Sequence, residues 1–185
     1  MSKADSYAPP PKIFSHLILV DEVPEQGLDV TLSADAPTRQ ALAKADGLVG
    51  LAALDADFHV ARQGLSSFNV TGTVRAKITQ ICVLTLEPFD SDLAEEVDVD
   101  FAEAPAAAQA STQADILLGA QSGDRDPPDP IEDDAIDLGA LAAEFLALGL
   151  DPYPRRPGAE FAPVTDPHDV IERPFDALKK LTDQS

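Results

Sequence analysis

The sequence predicts an α+β protein, with a mainly antiparallel curled sheet or small partly open barrel and a few short helices packed on it. Two patterns predict this class. Apolar and polar residues alternate along residues 68–82, which is typical of a strand with one buried and one solvated face. Apolar residues recur at three-and-four spacing in residues 138–148, which predicts a short helix docked on the core.

The N-terminal third predicts short strands and one helix. Asp35 and Pro37 begin this helix, because proline is tolerated in a first turn, and it runs through Lys44 until Gly47 closes it. Apolar runs and two-residue alternation favour strands around it. The strand candidates are residues 13–20, 28–32, 48–54 and 57–62, and the turn candidates are residues 23–27 and 63–67.

Residues 68–82 form the longest predicted strand. The apolar face is interrupted by Gly72, which indicates a bulge or a close backbone approach that lets the strand bend. A second alternating run, residues 97–101, places valine and phenylalanine inward and aspartates outward. The residues expected on the buried face of the long strand are Phe68, Val70, Val74, Ala76 and Ile78.

The ends of the C-terminal helix are marked by residue chemistry. Asp134 or Asp137 can accept hydrogen bonds from the free N–H groups of the first turn. Gly149 in a left-handed conformation would end the helix and place Leu150 against Phe145, and the two prolines that follow oppose continuation. The side chains expected to face the core are Leu138, Leu141, Phe145 and Leu148.

Length and composition predict one domain with loose ends. The domain spans residues 12–164, with a flexible leader at 1–11 and an extended tail at 165–185 that ends in a short helix. Residues 103–128 are rich in alanine and polar residues, which predicts an acidic, mobile insertion. A single cysteine, and the lack of an 18-residue apolar run or a signal segment, favour the reducing cytoplasm.

The net charge of −20 is concentrated in one part of the chain. Between Glu87 and Asp134 there are 15 acidic residues and one basic residue, Arg125. Such a field repels phosphate backbones and anionic membranes and attracts basic partners. The alternative is that these charges only keep loops soluble and extended.

The sequence favours a protein that is not an enzyme and needs no cofactor or metal. His16, His59 and His168 are scattered, with no serine or cysteine motif beside them. Asp90, Asp92, Glu95 and Glu96 could bind calcium, yet the glycine and closing glutamate of an EF-hand loop are missing. A carboxylate-based metal-binding enzyme remains the less favoured alternative.

Several segments together resemble the YceD-like family of large ribosomal RNA subunit accumulation proteins, formerly a domain of unknown function. They are Gly72 in its long strand, Cys82-Val-Leu-Thr-Leu-Glu-Pro-Phe89, the helix segment that begins Ile131-Glu-Asp-Asp, and Pro174-Phe-Asp-Ala-Leu-Lys-Lys-Leu181. The resemblance covers roughly Phe14 to Leu181. Many relatives carry Cys-x-x-Cys after the long strand, whereas here Thr85 stands at the second cysteine position, which puts a metal or redox role in doubt.

The resemblance implies a bacterial or plastid role in accumulation of large-subunit (23S) ribosomal RNA, with no catalytic residues. Two mechanisms stay open: binding of a basic large-subunit ribosomal protein or pre-ribosomal particle, which the charge favours, or direct contact with ribosomal RNA. We expect no membrane and no small-molecule substrate as partner. Candidate partner-binding residues are Asp126, Asp129, Glu132, Asp133, Asp134, Tyr153, Arg155 and Arg156. Candidate RNA contacts are Arg62, Arg75 and Lys77, helped by Arg155, Arg156 and the tail residues Arg173, Lys179 and Lys180.

Overall fold

A computed structural model describes residues 12–64, 66–103 and 128–160 of the chain. The leader, most of the predicted insertion, Asp126 and the tail with its short helix lie outside these residues. The described strands are β1 (Leu17–Leu19), β2 (Leu28–Ser33), β3 (Gly50–Arg62), β4 (Ser67–Ile81), β5 (Pro88–Ala102), β6 (Asp129–Pro130) and β7 (Ala135–Asp137). The helices are α1 (Ala36–Ala45) and α2 (Leu138–Leu148), with one 3-10 turn at Val20–Glu22.

The main sheet has five strands in the order β2-β3-β4-β5-β6. Three of its four pairings are antiparallel, but β5 and β6 pair in parallel, so the expected antiparallel sheet is in fact mixed. The sheet is also open rather than a barrel. Closure would require β6 to pair with β2, and β6 has only two residues, one of them Pro130, which has no N–H to donate.

The long strand follows the predicted alternation. Its predicted apolar face is buried from Phe68 to Ile78, and no register shift occurs at Gly72. A Cβ at that glycine would collide with the Asp57 carbonyl oxygen and lie 3.0 Å from the Phe58 Cα, so the close backbone approach is confirmed and the bulge there is not. The pairing of β3 with β4 instead shifts register between Leu51 and Ala53. Strand β3 is continuous from Gly50 to Arg62, so the two strands predicted at 48–54 and 57–62 form one strand.

The first predicted strand is much shorter than residues 13–20. Only Leu17–Leu19 pairs, because its partner β7 is itself three residues long. Beyond it, the carbonyls of Val20 and Val23 accept hydrogen bonds from the Arg62 guanidinium at 2.5 and 2.9 Å. A side chain therefore satisfies backbone groups that a longer ladder would have used.

Both helices begin as predicted, but the second one ends differently. The Asp35 carboxylate accepts the Thr38 N–H at 2.9 Å, and Gly47 has a left-handed φ of +68°. Asp137 rather than Asp134 caps α2. Gly149 keeps a right-handed φ of −78°, so the predicted left-handed cap is wrong. The absence of a side chain at Gly149 instead leaves room for Glu95, because a Cβ at Gly149 would lie 2.6 Å from the Glu95 Cγ.

The apolar face of the main sheet packs against the helical layer in one core. Buried residues of α2, including Leu138, Leu141 and Leu146, join those of β3 and β4 in this core. Phe145 is partly buried against it, whereas Leu148 is 68% exposed, so its predicted inward orientation is wrong. The opposite face of the sheet faces solvent. No helix in the described part of the chain is long and apolar enough to cross a membrane.

Candidate functional site

The solvent face of the main sheet is strongly acidic. Residues paired across antiparallel strands share a face, so the registers place the polar sides of β2 to β5 together. The first part of the acidic window, residues 88–102, forms strand β5, which includes the alternating run predicted at 97–101. The carboxylates on this face are Asp29, Asp55, Asp57, Asp90, Asp92, Glu96, Asp98 and Asp100. We call this surface the acidic sheet face.

Each basic side chain on the acidic sheet face is paired with a carboxylate. Arg75 binds Asp57, and the Lys77 ammonium lies 3.0 Å from Asp92. His59 Nδ1 lies 2.6 Å from Asp29 Oδ1. Hydrogen bonds from Thr31 and Arg75 also hold the pKa of Asp57 below its usual value. Two of the three candidate RNA contacts therefore lie within a field of negative charge.

The third candidate RNA contact, Arg62, lies apart from the acidic sheet face. Besides its two bonds to backbone carbonyls, its guanidinium stacks 5.0 Å from the centroid of the Phe68 ring. Phe68 is among the most deeply buried residues. Arg62 thus attaches residues 20–23, which follow β1, to the β3–β4 hairpin. This structural role was not evident in the sequence.

The candidate acids beside α2 occupy a tight turn. The Ala135 N–H donates to the Glu132 carbonyl at 3.0 Å, and the two residues between them, Asp133 and Asp134, have φ values of +51° and +56°. This is the geometry of a turn with two left-handed central residues, which usually carries Asn-Gly. We call residues 132–135 the acidic turn. Its aspartates are exposed, and each adopts a conformation that L-residues disfavour.

A cleft of about 470 Å³ opens beside the acidic turn. Its apolar lining includes Leu17 and Leu19, which are 61% and 47% exposed, together with Phe101 and Leu141. The acids Asp129, Glu132, Asp133 and Glu144 line the same cleft. We call it the β1–α2 cleft. It combines exposed aliphatic side chains with carboxylates that have no cationic partner within the described ranges.

Asp137 fixes one end of this cleft. Its carboxylate accepts hydrogen bonds from the His16 N–H at 2.8 Å, the Ala140 N–H at 3.1 Å and the Ser15 hydroxyl at 2.9 Å. The Lys12 ammonium lies 3.1 Å away. Partial burial raises the pKa of Asp137, but these hydrogen bonds together hold it below its usual value.

The exit from α2 packs against the β4–β5 connection. The Val83 N–H donates to the Pro154 carbonyl at 2.9 Å, and the Arg156 guanidinium lies 3.0 Å from Glu87. Tyr153 is 71% exposed, and the exposed side chain of Arg155 has no carboxylate partner among the residues that the structure describes. The exit and the acidic turn lie beyond opposite ends of α2, whose 11 residues span about 16 Å.

The Cys82 thiol is buried under this exit. It accepts the Arg156 N–H at 3.4 Å. The Thr85 hydroxyl, followed by the Arg156 N–H, lowers the pKa of Cys82 to about 6 against the effect of burial. Thr85 Oγ1 is itself buried and makes no hydrogen bond of ordinary geometry within the described ranges. Thr85 stands three residues after Cys82, at the second position of a Cys-x-x-Cys spacing. No group of three or more metal-ligating side chains occurs in the described part of the chain.

The structure thus brings Asp129, Glu132 and Asp133 together at one cleft and places the Tyr153-Pro-Arg-Arg156 exit elsewhere. Sequence reasoning missed Leu17, Leu19 and Phe101 as part of this surface. The strand alternation contained a signal, because Ile18 faces the core and its neighbours therefore face away from it. That these leucines meet the acidic turn follows only from the pairing of β1 with β7.

A family model described as "Large ribosomal RNA subunit accumulation protein YceD" matches residues 70–182, well over half of the chain. The match begins in β4, later than the expected Phe14, and includes the β4–β5 hairpin, the acidic turn and α2. It confirms the resemblance inferred from the motifs at Gly72, Cys82 and Ile131. No curated protein and no solved structure matches the chain.

Proposed function

This chain belongs to the YceD family of large ribosomal RNA subunit accumulation proteins, and from that premise we propose how it acts. It supports accumulation of the 23S ribosomal RNA without catalysing a reaction. It does so by holding a basic large-subunit ribosomal protein, or an assembly intermediate that contains one, through its acidic surface. The bacterial cytoplasm is the compartment in which such a partner is made and assembled.

One observation carries the proposed mechanism: apart from Asp137, the carboxylates of the β1–α2 cleft have no cationic partner among the described residues, whereas the cations of the acidic sheet face are already neutralised. Arg75 and Lys77 each face a carboxylate, so neither is available to a phosphate without breaking an ion pair. Ribosomal proteins carry the opposite charge because they bind RNA phosphates. An acidic protein can occupy their cationic segments before the RNA does.

Direct contact with ribosomal RNA is the second candidate function. One observation favours it, since Tyr153 is highly exposed beside Arg155, which has no carboxylate partner among the described residues. An aromatic ring with a neighbouring guanidinium is a combination that stacks on single-stranded bases. The net charge of −20 opposes this mode, because phosphate binding weakens in a negative field.

Capture with the tagged full-length chain distinguishes these mechanisms. We expect large-subunit ribosomal proteins to be retained from ribonuclease-treated lysate and to be released as salt is raised. Retention of ribosomal RNA after all bound protein has been digested would overturn the protein-binding mechanism. An unchanged large subunit in a deletion strain would remove the biogenesis role altogether.

Matched charge variants locate the binding surface. Asp129→Asn, Glu132→Gln and Asp133→Asn together remove three charges from the β1–α2 cleft. Asp21→Asn, Glu22→Gln and Glu25→Gln remove three from the exposed connection between β1 and β2. We expect the first set to weaken capture about tenfold and the second set to change it little. Equal losses would show that only the overall charge matters.

A further inference from the structure

We propose that the β1–α2 cleft receives a basic segment of the partner that also carries aliphatic side chains, which pack on Leu17 and Leu19. This inference rests on the proposed function and names the chemistry of the bound segment. It differs from a general attraction between charged surfaces, because it requires apolar contact at one place.

Two exposed leucines of β1 supply the apolar part of the cleft. Ile18 is buried in the core, so Leu17 and Leu19 must project away from it. They are 61% and 47% exposed and line the cleft with Phe101 and Leu141. Because both leucines are exposed to water, a partner that covers part of each gains about tenfold in affinity.

The charge of the cleft selects the occupant. Asp129, Glu132, Asp133 and Glu144 line it, while its lysine, Lys12, is already bound to Asp137. A nucleic acid or an acidic peptide would meet like charge at this surface. A second copy of this chain is disfavoured for the same reason, because each copy carries a net charge of −20. A cationic segment with aliphatic side chains complements both parts of the lining.

Two peptides test this proposal on the full-length protein. They have equal length and equal lysine content, and they differ in carrying leucines or serines at the remaining positions. Fluorescence anisotropy would measure the affinity of each over a series of salt concentrations. We expect the leucine peptide to bind about tenfold more tightly, and both peptides to weaken as salt rises.

Two variants locate the preference for leucine. In Leu17→Ser with Leu19→Ser, we expect the two peptides to bind equally. Val49→Ser is the control, because Val49 is similarly exposed, at 56%, but lies outside the cleft. It should leave the preference unchanged. Unfolding curves of each variant establish that the fold is retained.

The possible failures separate this inference from the function on which it rests. If the wild-type chain binds both peptides equally, or if the preference survives in the double leucine variant, the apolar cleft is not the site, but the acidic mechanism stands. If neither peptide binds in a salt-sensitive way, both the cleft inference and the proposed acidic mechanism are overturned.

Discussion

The Asp137 carboxylate accepts the backbone N–H of His16 at 2.8 Å and so attaches the N-terminal arm to the start of α2. The same oxygen accepts the Ala140 N–H of the first helical turn. One side chain therefore caps the helix and holds the segment that continues into β1. Gly139 supports this contact, because a Cβ there would lie 2.7 Å from the His16 nitrogen.

We expect Asp137→Ala to lower the free energy of unfolding by about 3 kcal/mol, because it removes a helix cap and leaves the His16 N–H without its acceptor. Urea unfolding of the full chain measures the loss. Asp151→Ala is the control, since the Asp151 carboxylate is exposed and bonds only the nearby Tyr153 N–H among described residues. A similar loss in both variants would contradict the special role of Asp137.

The lowered pKa of Asp137 predicts acid sensitivity. A carboxyl whose pKa is lower in the folded state stabilises the fold above its unfolded pKa of about 3.9, and this contribution is lost as pH falls through the folded pKa. As pH is lowered below about 5, the urea concentration at the unfolding midpoint should therefore decrease less steeply in Asp137→Asn than in the wild type.

Asp46 provides a control of opposite sign for this experiment. Burial raises its pKa, so the folded state binds a proton there more readily and is favoured as pH falls. The Asp46→Asn variant lacks this compensation and should lose stability more steeply on acidification. Identical pH profiles for the wild type and both variants would rule out these two carboxyls as the source of the dependence.

We expect Asp134→Gly to raise the free energy of unfolding by about 0.5–1 kcal/mol, because glycine adopts the left-handed conformation at φ +56° without steric cost. Asp21→Gly, outside the left-handed region, should lower stability by a similar amount. Denaturant midpoints measure both changes. Destabilisation by Asp134→Gly would mean that its carboxylate makes a stabilising interaction.

We expect Arg62→Ala to cost about 2 kcal/mol in the free energy of unfolding. The Val20 and Val23 carbonyls lose the guanidinium donor, although Val20 keeps a longer bond from the Val23 N–H at 3.4 Å, and the Phe68 ring loses its cation. Arg75→Ala removes only an exposed ion pair and should cost less than about 1 kcal/mol. Chemical unfolding compares the two. Equal costs would show that Arg62 does not hold the N-terminal segment.

Local chemistry predicted much of the fold. Alternation assigned the two faces of residues 68–78, and Asp35 with Pro37 marked the start of α1, because both signals depend on neighbours in sequence. The motifs at Gly72, Cys82 and Ile131 also indicated the family that the comparison found. The same reasoning found only residues 97–101 of β5, because Ser91 and Glu95 interrupt the apolar side of the alternation before them.

The extent of pairing could not be predicted in the same way. A strand ends where its partner ends, so the three residues of β7 limit β1, and the two residues of β6 leave the sheet open. The left-handed cap at Gly149 failed for a related reason. Contact with Glu95, which is distant in sequence, explains the glycine without a positive φ.

The sequence by itself determined the charge and the family of this protein, which depend on composition and motifs alone. It also determined the buried face of the long strand and the start of α1, because those signals come from residues that are close together along the chain. Only the tertiary structure decided which surface is available. It paired Arg75 and Lys77 with carboxylates, turned Arg62 onto Phe68 and placed Leu17 beside the acidic turn. These relationships depend on strand register and packing, which join residues that are far apart in sequence.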